Sequence, residues 1–160
     1  MKLETNKVSP STGTAFQICD SGDTVTIAGA TTMSAQLSMA DQVIERPEIK
    51  DYAETYNASS GQGTVDLDLS TGNVFQHTAS GGNVTFTFSN PPESGKAGAF
   101  TLKWIQDSSD RTATWSGSVD WAAATAPTLT SGSGKVDIFT FVTLDGGTTW
   151  YGFVAGQDMS

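Results

Sequence analysis

Every tryptophan of this chain lies between Trp104 and Trp150, and every phenylalanine except Phe16 lies from Phe75 onward. Before Asn57 the only aromatic residues are Phe16, Tyr52 and Tyr56. Large side chains supply most of the area that a core removes from water. The first third of the chain therefore cannot build a core of its own, whereas the rest can. This divides the 160 residues into an N-terminal arm, 1–57, and a C-terminal domain, 58–160, a size that suits a single domain.

The domain reads as mainly β. Turn clusters rich in Gly, Ser and Thr alternate with short runs of apolar and polar residues in a period of two. TVDLDL, NVFQHT and NVTFTF read as strands separated by STGN and ASGGN turns, and AFTLKWIQ places Phe100, Leu102 and Trp104 on one face. KVDIFTFVTL carries Val136, Ile138 and Val142 on one face and Phe139 and Phe141 on the other. A strand apolar on both faces is a central or sandwiched one. Asp145-Gly146-Gly147 is a good hairpin turn, so TTWYGFVAG is its partner. In TAPTLTSGSG, Pro127 cannot donate to a ladder, which allows a loop with one short edge strand. Regular strand spacing predicts an antiparallel β-sandwich or jelly-roll-like domain.

The arm carries Leu3 and Val8, then Phe16 and Ile18 paired with Val25 and Ile27 across an Asp-Ser-Gly-Asp turn. That pattern predicts a small β-hairpin, which needs a partner for its apolar face. Met33, Leu37, Ala40 and Ile44 then recur at helical spacing before Pro47 forces a stop, which predicts a short amphipathic helix. PEIKDYAETYN fits either a second helix or an extended linker.

Charge and composition exclude several partners. The net charge of -9, with its lysines scattered, argues against nucleic acid and against an anionic membrane. No run approaches the ~18 apolar residues a membrane span needs. MKLETNKVSPSTG has no apolar h-region, so no secretory signal is expected. Cys19 is the only cysteine, which rules out an intrachain disulfide and reads as a small apolar filler. A soluble protein made in a reducing compartment is expected.

No catalytic constellation emerges. His77 is the only histidine and lacks the companions of a zinc site or triad, so it reads as structural or surface. Asp66 and Asp68 share a strand face, as a glycosidase or calcium pair would, but alternation with Val65, Leu67 and Leu69 is explained by a solvated acidic side. Asp20-Ser-Gly-Asp23 and Asp107-Ser-Ser-Asp110 look like pieces of calcium loops without the closing Glu, and read as turns. No cofactor and no metal are expected, and no enzyme activity.

From about Pro47 onward the chain resembles the C-terminal β domain of tail-fibre-like and other virion structural proteins of tailed bacteriophages. The resemblance is carried by IKDYAETYNA, VDLDLSTGNVF, GNVTFTFSNPPESGKAGAFTLKWIQD and RTATWSGSVDWAAATAPTLTSGSGKVDIFTFVTLDGGTTWYGFVAGQDM. It implies a homotrimer without catalytic residues, made in the host cytoplasm and located in the virion. Fibres of this kind carry a longer shaft than residues 1–57 could supply. The expected role is therefore a capsid decoration (cement) or head-fibre protein bound to the major capsid protein or other virion proteins. The alternative is a short tail fibre or fibre tip that contacts host surface glycans. Expected attachment or trimer contacts are Leu3, Val8, Phe16, Ile18, Val25, Ile27, Leu37 and Ile44 in the arm, and Trp150, Tyr151 and Phe153 in the last strand. Alternation sets Trp150 opposite Tyr151 and Phe153, so one face should be core and the other a seam.

Overall fold

The computed structural model describes residues 44–159, and all its strands fall within the unit that spans Ile49–Ser160. Seven strands form one sheet: β1 (Asn57–Asp68), β2 (Val74–Ser89), β3 (Gly98–Ile105), β4 (Ala113–Thr114), β5 (Val119–Trp121), β6 (Val136–Thr143) and β7 (Trp150–Gly156). Their order is β1-β2-β3-β6-β7-β5, with β4 also paired to β2. Only two 3₁₀ turns, Leu69–Thr71 and Ala122–Ala124, interrupt this pattern. Residues 125–134 hold no strand, and the PEIKDYAETYN segment is exposed and without helix or strand up to Tyr56, with a bend at Lys50 and Asp51. Ile44, the last apolar position of the expected short helix, is described, exposed and not helical. The rest of that helix and the expected hairpin lie outside the described residues.

The sheet is mixed, which corrects the expected antiparallel arrangement. β3–β6 and β6–β7 are antiparallel, but β1–β2, β2–β3, β2–β4 and β5–β7 are parallel. The source of the difference is the ASGGN segment. Instead of closing a hairpin, it carries β2 around a bend, so its arms 74–79 and 84–89 pair with the two arms of β1. β1 bends at the same level, where its register shifts between Gly61 and Gly63, and Gly63 has φ +80. The bends stack: a Cβ on Gly82 would run into the Gln62 side chain. Doubling back also brings the ends of β1 and the turn after it together, where Asn57 Nδ2 donates to Thr71 O at 3.1 Å.

Alternation explains which side chains meet inside. Phe75, His77 and Ala79 from the first arm of β2 are buried, as are Val84 and Phe86 from the second. The first arm hydrogen-bonds to β3, whereas the second packs its rings on those of β3: Phe88 lies 4.9 Å from Phe100 and Phe86 lies 6.1 Å from Trp104. Phe100 stacks on Phe141 at 4.8 Å, and Trp150 meets Phe100 edge-on at 5.1 Å. Each such ring contributes roughly 1.5–3 kcal/mol by burial, and each well-placed pair about 0.5–1.5 kcal/mol more.

Buried polar groups are tied down in pairs with the loops. Gln106 donates from Nε2 to Arg111 O and Thr130 O and accepts at Oε1 from Asp107 N and Arg111 N. Asp137, fully buried, accepts from Thr130 N and Thr130 Oγ1 at 2.7 Å each and from Asp158 N at 3.1 Å. These two side chains replace regular structure in holding 125–134 against the sheet. The expected hairpin between β6 and β7 is present. Asp145 Oδ1 accepts from Thr149 N, and Gly146 and Gly147 take φ +70 and +84, which only glycine adopts without strain.

Candidate functional site

The last strand begins with Trp150, which turns inward and is 1% exposed, so it belongs to the core and is not a contact residue. Tyr151 and Phe153 turn outward and are 44% and 55% exposed. Gly152 between them has no Cβ because the Trp121 ring sits against it, 2.7 Å from where a Cβ would stand. Past Gly152 the register with β6 shifts between Ile138 and Phe139, and Val154 is left 45% exposed instead of entering the core.

Register then extends the outward face across four strands. Ala99, Val142 and Tyr151 form one row; Thr101, Thr140 and Phe153 form the next. Lys103 pairs with Ile138, and Ile105 with Val136. On β2, Val74, Gln76 and Thr78 continue the rows beside Thr101, Lys103 and Ile105. Lys103 is the one charged residue among the strand positions of this face, and Glu54 and Tyr56 line a hollow there with Val74, Gln76 and Lys103. At its rim, Asp120, Trp121, Ala122, Ala124, Tyr151, Gly152 and Phe153 surround a shallow hollow of about 390 Å³. Ala123 and Ala124 beside it hold φ of 54 and 53, a left-handed backbone that costs alanine about 1–2 kcal/mol per residue.

Alternation grouped Val136, Ile138 and Val142 on one face of β6 and Tyr151 and Phe153 on one face of β7, but only the register joins the two groups in one surface. Its extension over β2 and β3 was not legible, because register is fixed by pairing partners. Val154 was missed because a bulge leaves no sequence mark here. Leu3, Val8, Phe16, Ile18, Val25, Ile27 and Leu37 lie outside the described residues, and Ile44 is 57% exposed away from any strand.

The residues weighed for chemistry are dispersed. His77 is fully buried, with Nδ1 2.8 Å from Ser59 Oγ and Nε2 3.4 Å from Gly61 O. Burial holds its pKa below the ordinary 6.5, against the raising effect of the Gly61 carbonyl. Asp66 accepts from Thr87 Oγ1 at 2.8 Å and from Ser89 Oγ. Asp68 is held below the usual carboxylate range first by Asn90, then by Ser70. Asp107 is lowered chiefly by Arg111 and then by the Ser109 amide, and Asp110 accepts from Gly132 N. Each of these carboxylates serves a turn or a strand end. Among the described residues no group of three His, Cys, Asp or Glu side chains is placed to hold a metal ion.

No family model, no curated protein and no solved structure matches this chain, so its fold and its surfaces carry the functional argument.

Proposed function

We propose that this chain is a non-enzymatic structural protein of a bacteriophage particle, a homotrimer that decorates the particle exterior as a capsid decoration (cement) or head-fibre protein. The observation that carries the reading is the outward face of β2, β3, β6 and β7, whose strand positions are apolar or Thr except for Gln76 and Lys103. Apolar faces of this kind rimmed by polar residues are covered in assemblies. Tyr151 and Phe153 supply aromatic anchors for a seam, the residue types that dominate binding energy. The bent arms of β1 and β2 lying over the rings of β3 favour a two-layered, sandwich-like domain, and residues 1–57 are assigned the attachment to the shell. Threefold repetition then raises avidity by effective concentration.

Thr140→Asp tests the seam. Thr140 sits in the centre of the face opposite Phe153, half-buried and outside the core. Sedimentation equilibrium should show a trimer for the natural chain and a monomer for the variant. A monomeric natural chain, or a variant that still forms the same trimer, overturns the reading. Antibody labelling of particles separates a head protein from a tail fibre.

The hollow beside Tyr151 favours a second reading, a short tail fibre or fibre tip that binds host surface glycans. An aromatic wall next to the Asp120 carboxylate suits a sugar ring, whereas buried Trp150 takes no part. Glycan-array binding that is lost in Tyr151→Ala supports it, and an array without hits removes it.

A further inference from the structure

The one histidine of the chain is placed where a proton would act on a specific piece of the fold. His77 is fully buried, with Phe86 edge-on at 5.5 Å and Trp104 tilted at 5.7 Å. Both ring nitrogens reach the first arm of β1: Nδ1 to Ser59 Oγ and Nε2 to Gly61 O. A carbonyl only accepts, so Nε2 carries the proton and Nδ1 accepts from the Ser59 hydroxyl. Burial favours this neutral form of the ring over the charged one. A second proton at Nδ1 could be accommodated by turning the Ser59 hydroxyl toward Gln76 O, 3.4 Å away, so hydrogen bonding does not resist protonation.

What resists is the charge. β1 presents Ser59 and Gly61, the second arm of β2 presents Phe86, and β3 presents Trp104. No carboxylate lies among them: Asp66 is engaged with Thr87 and Ser89, and Asp107 with Ser109, Gly81 and Arg111. Lys103 is on the opposite face of β3 from Trp104. Contact with an indole returns less than the burial of an ion costs.

The arm that both nitrogens hold is also a lightly buried edge of the sheet. β1 is an edge strand, paired on one side alone, and Asn57–Gly61 includes no buried side chain. Its opening exposes little apolar area and lets water reach the ring, so it is the cheapest response to an added proton.

We propose that His77 is an acid-sensitive latch, whose protonation releases Asn57–Gly61 from the sheet edge while the ring core stays folded. The released state bares the backbone of Phe75–Ala79 as a new edge, which can accept an extended strand. This inference is independent of the assembly reading.

Hydrogen exchange of the full chain tests it, with each rate normalised to its intrinsic value between about pH 7.5 and pH 5. The sign follows from linkage. A ring whose pKa is lowered in the closed state and ordinary in the open one keeps its full stabilising effect above about 6.5 and loses it as pH falls toward the closed-state value. Between those two values the protection of amides in 57–61 should fall with pH, by at most about tenfold per pH unit for one proton, while amides of β6 keep theirs. The same interval should contain the titration of the His77 ring followed by NMR. His77→Gln, which hydrogen-bonds without titrating, should flatten the profile. If that variant does not fold, the coincidence of ring titration and arm release in the natural chain decides. Protection of 57–61 that is constant with pH overturns the latch. So does an equal loss in β6, or a loss that persists in His77→Gln.

Discussion

Trp150 and Tyr151 are neighbours in sequence on opposite faces of β7, and substituting them one at a time separates core from seam. Trp150 is 1% exposed and meets Phe88 at 5.7 Å and Phe100 at 5.1 Å, both edge-on. Removing a buried ring of this size costs about 3–5 kcal/mol, because the cavity it leaves closes only in part. With a urea dependence of roughly 1.5 kcal/mol per M, Trp150→Ala should lower the unfolding midpoint by about 2–3 M. Tyr151 is 44% exposed, and its truncation should change the unfolding free energy of the isolated protomer by less than about 0.5 kcal/mol. Its effect should appear in association instead, where loss of an aromatic anchor worth about 2 kcal/mol weakens each contact roughly thirtyfold. Urea unfolding should be run at a concentration where sedimentation shows protomers, since a midpoint measured on an oligomer moves with concentration. If Tyr151→Ala destabilises the protomer as much as Trp150→Ala, or if Trp150→Ala costs less than about 1 kcal/mol, the division between faces is wrong.

Asp137→Asn keeps the shape but turns an amide N–H₂ toward Thr130 N or toward Thr130 Oγ1 and Asp158 N, and should cost about 2–3 kcal/mol in urea unfolding. Gly152→Ala drives a methyl into the Trp121 ring and should cost about 1–3 kcal/mol, with a change in tryptophan fluorescence that reports the displaced indole. In acid, Asp68, Asp107 and Asp145 all have pKa values lowered by hydrogen bonds in the fold. Their stabilising effect is present above the ordinary value of 3.8 and is lost as pH falls below it, so thermal unfolding temperature should drop in that window. Arg111→Ala should narrow that drop, since the Arg111 hydrogen bond is the largest cause for Asp107.

The strands were legible because alternation is local: VDLDL and AFTLKW announce their buried parity without reference to a partner, whereas VDIFTFV is apolar on both sides and its buried parity, that of Phe139 and Phe141, appears only in the fold. The Asp145–Gly147 turn was legible because its backbone needs residues that tolerate positive φ. Pairing was another matter. NVFQHT and NVTFTF bury the same parity whether ASGGN closes a hairpin or bends one strand around the core, so the sequence alone allows both. The outcome depends on β1, whose two arms offer parallel partners to both arms of β2 at once. His77 shows the same limit. Its isolation from other histidines and cysteines spoke against metal and triad chemistry, but its grip on Ser59 and Gly61 depends on that parallel pairing.

The distribution of acid over the surface bears on what the outward face does. The chain has 17 Asp and Glu against 8 Lys and Arg, so copies of it repel one another. On β1 the outward positions follow that composition, with Asp66 in water beside Thr64 and Ser60. On β2, β3, β6 and β7 they do not: Val74, Gln76, Thr101, Lys103, Val136, Ile138, Thr140, Val142, Tyr151 and Phe153 include no acid. Carboxylates stand at its rim: Asp120, paired with Tyr151 from β5, and Glu54, which lines a hollow with Val74, Gln76 and Lys103. The domain needs no apolar residues there for its own core, because Phe139 and Phe141 already fill the inner side of β6. A face whose strand positions carry no acid suits contact between copies of an acidic protein: acid repulsion is kept to the rim, and the one charge that contact would dehydrate, Lys103, shares a hollow with Glu54.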